Sequence, residues 1–268
     1  MSKDKFKRSN VKSSILKNVI IRMDFVGLTN ILDCVDSLKT VMKGNFEKFR
    51  PVDRKNYNVN LNPLNSNQAV NVNMERTQMF QFSECKIGPS KANFMLSSEF
   101  AYLEILCSDD YEGCNEYIKL MASAIDCILK FDSFISVKRL GLRKIDVAKF
   151  DDVNMMDQSI ETPIWGNYKL ANAYVPLKKS YSDLIYQKDV KTIFNIQRFI
   201  QEIKENEIIK IQYILDIDCY KNKDLIVLSD FSSAKSIEKM ISEQMNEPVF
   251  KYFIETFTEQ YIDSFYHG

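Results

Sequence analysis

Alternation of apolar and polar residues over long runs restricts the fold of this chain more than any other feature of its sequence. A period of two is typical of strands that bury one face, because successive side chains point to opposite sides of a sheet. Strands or extended segments are predicted at 15–26, 57–73, 77–87, 92–107, 134–149, 192–203 and 207–221. The stretch 57–73 is rich in asparagine and resembles a hairpin that turns near residues 63–66.

Amphipathic helices are predicted between some of these strands. Apolar residues recur at three- and four-residue spacing from Ile31 to Phe49, after a capping residue at Thr29 or Asn30, and again within 111–131. The order in the first half is then β-α-β-β-β-α-β. This order predicts an α+β fold with an antiparallel or mixed sheet and helices packed on one face.

The middle of the chain is less regular than either end. Residues 151–190 contain the only tryptophan, Trp165, and show no sustained periodicity. We interpret this stretch as the connection between two closely packed lobes. The first lobe covers 1–150 and the second covers 151–268.

The second lobe is expected to end in helices. Ser232 or Ser233 can cap one helix, and Pro248 lies just inside the start of another. The apolar stripe of this last helix comprises Val249, Phe250, Phe253, Ile254, Phe257, Tyr261, Ile262 and Phe265. Such a stripe is more often core than partner surface, and the alternative is a helix that seals a dimer.

The scarcity of glycine and histidine argues against several classes of enzyme. The seven glycines fit neither GxGxxG nor GxxxxGK, which argues against a standard NAD or ATP site. The single histidine, His267, is a poor candidate for the base of a Ser-His-Asp or Cys-His arrangement. We therefore expect no cofactor and favour a protein that is not an enzyme. Chemistry by carboxylates, or by a Lys, Tyr or Cys acting alone, stays open.

Charge and cysteine content indicate a cytoplasmic protein. The 36 basic and 36 acidic residues cancel, so no overall field attracts nucleic acid or an anionic membrane. The six cysteines form no CxxC pair and match no zinc-ligand spacing, as expected for small buried side chains in a reducing compartment. No signal sequence and no membrane-spanning segment is expected.

One strand carries a cluster of basic residues around a glycine. In the segment 136–146, the period of two places Arg139, Gly141 and Arg143 on the same face. Two guanidinium groups beside bare backbone could bind a carboxylate, a phosphate or the main chain of a partner. Lys138 and Lys144 complete the predicted binding set. The alternative is that these side chains are solvated or pair with Asp or Glu on neighbouring strands.

A second strand carries two carboxylates on one face, Asp216 and Asp218. Paired aspartates can bind Mg²⁺ or take part in acid–base chemistry, so both are weak candidates as metal ligands. Because this spacing is common in strands, solvent exposure or pairing with Lys or Arg is favoured. If the carboxylates meet Arg139 and Arg143, the two patterns form one ion-pair network.

Several segments together resemble a sporadically distributed bacterial family of uncharacterised proteins of about 250–270 residues. They are 16–25, Arg139-Leu140-Gly141-Leu142-Arg143, 215–218, and Phe250 with 257–259. The sequence departs from the family where Lys144-Ile145-Asp146 replaces the typical Tyr-Ile-Asn, and it lacks the usual histidine before the last helix. The resemblance implies a cytoplasmic accessory protein and supplies no reaction. A patchy distribution is similar to that of defence and toxin–antidote genes.

The expected function is the binding or regulation of a protein partner, without catalysis, in a bacterial defence or toxin-neutralising system. The partner would contact the strand around Arg139 and Arg143 or the C-terminal helix, and self-association is also expected. The alternative is a nucleic-acid or nucleotide-binding protein, including a metal-dependent phosphodiester enzyme. In that case the arginines would bind phosphates and Asp216 and Asp218 would bind the metal.

Overall fold

The computed structural model describes residue 6 and residues 15–60, 71–111, 113–161, 179–187 and 192–265. Its central element is a nine-stranded sheet in which every neighbouring pair is antiparallel, in the order β2-β3-β4-β5-β1-β6-β9-β8-β7. The strands are β1 Leu16–Val26, β2 Phe46–Asn60, β3 Asn71–Cys85, β4 Lys91–Leu96, β5 Phe100–Leu106, β6 Ser136–Phe150, β7 Lys179–Gln187, β8 Ile193–Glu205 and β9 Ile208–Asn222.

Helices follow β1, β5, β6 and β9. They are α1 Ile31–Met42, α2 Asn115–Phe131, α3 Val153–Ser159, α4 Ala234–Lys239, α5 Glu247–Thr256 and α6 Glu259–Asp263, and a π-helical segment, Met240–Asn246, joins α4 to α5. Together with the sheet, these helices confirm the α+β class. No helix in the described part of the chain is long and apolar enough to cross a membrane.

The first predicted helix is shorter than its apolar spacing suggested. Its start is as predicted, because the side-chain oxygen of Asn30 accepts a hydrogen bond from the Asp33 amide. The helix ends at Met42, and Gly44 then adopts a φ of +95° that favours glycine. Phe46 and Phe49, assigned to the helix from the sequence, therefore lie in β2.

Two further predictions of element boundaries were wrong. The run predicted as one strand at 92–107 forms β4 and β5, which are joined through Ser97 and pair with each other. The first half is thus β-α-β-β-β-β-α-β. The stretch 151–190, which was predicted to be less regular than the rest and was assigned no helix or strand, contains α3 and β7. Trp165, His267 and the predicted hairpin turn at 63–66 lie outside the described residues.

The sheet continues from the first half of the chain into the second. Strand β6 pairs with β1 on one side and with β9 on the other, so strands before and after residue 150 share one hydrogen-bonded sheet. Whether the two halves form separate lobes stays a prediction.

One set of side chains on each central strand belongs to the core. In β1 the residues Val19, Ile21, Met23 and Phe25 are buried and alternate with half-buried ones. Helix α2 contacts β1, β5, α1 and α4, while the π segment contacts β6 and β9. That all helices lie on one face of the sheet stays a prediction.

The apolar stripe at the C-terminus belongs to the core. Val249, Phe253, Ile254, Phe257, Ile262 and Phe265 are buried. The phenylalanine rings in this set also contact one another, for example Phe253 with Phe257 at 5.2 Å between centroids. These six side chains are packed inside the protein, whereas Phe250 and Tyr261 of the same stripe are half-buried. That the C-terminal helices also contact a partner stays a prediction.

Candidate functional site

The register of three neighbouring strands brings the two predicted patterns together. Arg139 and Arg143 lie on β6, between β1 and β9, and Arg143 lies directly opposite Asp218. Side chains that point the same way on adjacent strands come within contact distance in an antiparallel sheet. The patterns around Gly141 and around Asp216 therefore belong to one surface, which we call the arginine face.

Six alternating charges cross this face. Three arginines and three aspartates follow one another across β1, β6 and β9, and we call this set the charge ladder. Its members are Arg22, Asp24, Arg139, Asp218, Arg143 and Asp216. Positive and negative charges are equal in number, so the ladder carries no net formal charge.

Hydrogen bonds join an arginine to an aspartate at each end of the ladder. Arg143 donates two hydrogen bonds to Asp216, one from Nε to Oδ1 at 2.8 Å and one from Nη2 to Oδ2. At the other end Arg22 Nε donates to Asp24 Oδ1 at 2.7 Å. A guanidinium that binds a carboxylate through two donors fixes orientation as well as distance.

The centre of the ladder links these ends. Arg139 Nη2 donates to Asp218 Oδ2, and Arg139 Nη1 lies 3.9 Å from Asp24 Oδ2. Burial raises the pKa of the Asp218 carboxyl above its usual value, while the charges of Arg139 and Arg143 act in the opposite direction. Loss of either arginine would therefore favour the protonated form of Asp218.

Aromatic rings support two of the arginines. The guanidinium carbon of Arg139 lies 4.4 Å from the centroid of the Tyr220 ring, and that of Arg22 lies 4.8 Å from the Phe100 ring. Both distances are within the range of a cation–π contact. The arginines are held from two sides, by a carboxylate and by a ring, and all four side chains remain partly exposed.

Gly141 makes this arrangement possible. A Cβ atom at this position would lie 2.9 Å from Cβ of Tyr220 and 3.3 Å from both Arg139 Nη2 and Asp218 Oδ1. The space beside the glycine is thus filled by the Arg139–Asp218 ion pair. The backbone between the two arginines is therefore not bare, in contrast to the expectation from the sequence.

The two lysines of the predicted set are separated from the ladder. Lys144 is only 6% exposed and shares the buried side of β6 with Leu142, between Val19 of β1 and Ile217 of β9. It is therefore not available at the arginine face. Lys138 is exposed and lies at a register shift between β1 and β6.

The two weak metal candidates are both occupied by arginines. Asp216 accepts hydrogen bonds from Arg143, and Asp218 accepts one from Arg139. Within the described ranges no group of three or more His, Cys, Asp or Glu side chains is placed to hold a metal ion. The geometry of this face is that of an ion-pair network.

Two members of the ladder were missed from the sequence. Arg22 and Asp24 are separated by one residue in β1 and so share a face. This spacing of an arginine and an aspartate can be read directly from the sequence. What could not be read from it was the pairing of β1 with β6, which joins the first strand of the chain to Arg139.

A double-mutant cycle measures the coupling at one end of the ladder. We expect Arg143→Ala and Asp216→Ala to be coupled by about 1 kcal/mol in the free energy of unfolding, because each removes the partner of the same two hydrogen bonds. Chemical denaturation of the two single variants and the double variant gives this value. Arg143→Lys is the control that keeps the charge and loses the paired donors. Effects that add to within roughly 0.3 kcal/mol would contradict the coupling.

Comparison with known proteins identifies no family for this chain. No protein-family model and no curated protein matches it. One solved structure that matches is the crystal structure of the di-domain ARO/CYC StfQ from the steffimycin biosynthetic pathway. The two are 8% identical, the match covers 93% of this chain and 97% of that chain, and the TM-score is 0.19. A similarity this low carries no argument about fold or function.

Proposed function

We propose that this chain is a non-enzymatic protein-binding component whose arginine face contacts a folded protein partner. The observation that supports this most directly is the charge ladder. Its arginines are partly exposed, and each is already held by a carboxylate of the same chain. Side chains fixed in this way lose little conformational freedom when a partner docks on them.

The composition of the face also favours a protein partner. Arginine and tyrosine are enriched where protein interfaces carry most of their binding energy. The half-exposed side chains of the arginine face include Arg22, Arg139 and Tyr220, with Phe100 and Tyr102 on the adjacent β5. A rigid mixed surface of this kind matches the centre of a protein–protein interface better than a solvated strand face.

Nucleic acid is the weaker candidate. Affinity for a phosphate backbone comes from protein cations that neutralise phosphates and so release the counterions condensed on the nucleic acid. Here each arginine is already paired with an aspartate. The predicted metal-dependent phosphodiester enzyme would also require Asp216 and Asp218 to leave Arg143 and Arg139.

The proposed setting comes from the family resemblance. We place the protein in a bacterial defence or toxin-neutralising system because the family it resembles has a patchy distribution, and in the cytoplasm because the resemblance implies a cytoplasmic accessory protein. In such a system, a binding surface without catalytic groups would serve to hold or neutralise another protein.

Affinity capture from native cells with matched variants tests the proposal. We expect the wild-type chain to retain a stoichiometric protein and Arg139→Ala, Arg143→Ala to weaken that binding roughly tenfold or more. Arg50→Ala is the control, because Arg50 is an exposed arginine on β2 whose Nε donates to Gln81 Oε1 at 2.8 Å, away from the ladder. The melting temperature of each variant shows that the fold is retained.

Two results would contradict the proposal. Equal retention of the partner by the double variant and by Arg50→Ala would remove the arginine face from the interface. Binding of RNA or DNA that falls steeply with salt and is lost in the double variant would support the alternative function instead.

A further inference from the structure

The two edges of the sheet differ in chemistry. Strand β2 forms one edge and β7 forms the other. An edge strand presents unpaired backbone donors and acceptors, and proteins usually protect it with charges, proline or a bulge. The described side chains of β2 follow this rule, since Glu47, Lys48, Arg50, Pro51 and Asp53 are all exposed.

The β7 edge has little such protection. Among its described side chains Asp183 alone is charged, while Tyr181, Leu184 and Ile185 are 57%, 47% and 63% exposed. Its apolar side chains point to both sides of the strand, Ile185 to one and Leu184 to the other. Within the described ranges, β8 is the one strand that pairs with it. A long, apolar and unprotected edge is suited to the addition of another strand.

We infer that β7 pairs antiparallel with β7 of a second copy of this chain, about a two-fold axis at Ile185. In this register Ile185 lies opposite Ile185 of the second copy, and Leu184 lies opposite Tyr186. Asp183 lies opposite Gln187, whose side-chain amide can donate to the carboxylate. Each contact except the first occurs twice, as a two-fold axis requires.

The sequence of β7 selects both this partner and this register. Apolar side chains face apolar ones, and each carboxylate faces a donor. Centring the pair on Asp183 would place two carboxylates opposite each other, and centring it on Leu184 would place Asp183 opposite Ile185. Both alternatives are less favourable, because like charges or a charge and an aliphatic side chain would face each other directly. The register about Ile185 joins two nine-stranded sheets into one.

Sedimentation of the full chain across the micromolar range tests the pairing. We expect the wild type to be a dimer and Ile185→Lys to be a monomer, because two ammonium groups would meet at the axis. Ile209→Lys is the matched control, since Ile209 is 61% exposed on β9, away from the β7 edge, and should remain a dimer. A wild type that stays monomeric throughout, or an Ile185→Lys variant that stays dimeric, would overturn the inference.

Disulfide cross-linking tests the register by itself. Ile185→Cys should give a covalent dimer on mild oxidation, seen on non-reducing gels, because the two introduced thiols would lie opposite each other. Asp183→Cys should not, since its two copies would be four residues out of register. The yield of covalent dimer from each variant is compared with that from oxidised wild type. A higher yield from Asp183→Cys than from Ile185→Cys would overturn the proposed pairing. The pairing of β7 does not depend on the protein partner proposed for the arginine face. A monomer that still binds that partner would contradict the pairing of β7 and leave the proposed function unchanged.

Discussion

Replacing Asp230 with alanine is expected to lower the free energy of unfolding by about 3–5 kcal/mol, the typical cost of leaving a buried charge without its partner. The charge is that of Lys221 near the end of β9, whose side chain is 2% exposed. Its Nζ donates to Asp230 Oδ2 at 2.8 Å, and Asp230 lies in a short 3-10 helix, Leu228–Phe231, that comes after β9. Without this carboxylate the ammonium group would be buried without its ion-pair partner, or the core would have to open to water.

Two comparisons show whether burial causes this loss. Adding Lys221→Met to Asp230→Ala should restore most of the stability, because the double variant leaves no unpaired charge. Glu205→Ala removes the acidic partner from a pair of similar length, Lys149 Nζ to Glu205 Oε1 at 2.7 Å, on the surface. It should cost no more than about 1 kcal/mol. Equal losses for Asp230→Ala and Glu205→Ala in denaturant titrations would contradict this account.

Gly141→Val is expected to destabilise the protein by about 3 kcal/mol and Gly141→Ala by about 1 kcal/mol, because both overpack the centre of the sheet. The first added atom already meets Cβ of Tyr220 at 2.9 Å, and the valine methyl groups would compete with the Arg139 guanidinium for the same space. The same variants should weaken partner binding, since Arg139 would be displaced from Asp218.

The clash predicts a dependence on Tyr220. Gly141→Ala should cost less in a Tyr220→Gly background than in the wild type, because the opposing Cβ atom is then absent. Thermal or chemical unfolding of the four proteins measures the difference. If the two substitutions are additive, the glycine is required for a reason other than close approach to β9.

The strand prediction succeeded where one side of a strand is buried. Alternation in β1, β6 and β9 gave the position of each strand and the common face of Arg139 and Arg143. Short irregularities were missed because they are local: Gly44 ends a helix whose apolar spacing continues into β2, and Ser97 turns the chain inside one apolar run. Strand β7 was missed because both of its sides are exposed, which removes the alternation.

At the candidate site, the sequence indicated which residues take part better than it indicated which of them pair with each other. The period of two in a strand places Lys144 on the same side of β6 as the buried Leu142, so the burial of Lys144 could have been predicted. The exposure of Lys138 depends on a shift in register with β1 that no sequence pattern marks. The pairing of Arg139 with Asp218 depends on the order of strands, which brings together residues 79 positions apart.

The position of β1 also affects the order in which the protein can assemble on the ribosome. Strand β1 lies between β5 and β6, and its Asn18 donates a hydrogen bond to Glu104, which is synthesised 86 residues later. The apolar side of β1, with Val19, Ile21 and Met23, therefore stays without its neighbouring strands until β5 and β6 have been synthesised. Such non-local pairing slows folding and prolongs the exposure of apolar surface on the nascent chain.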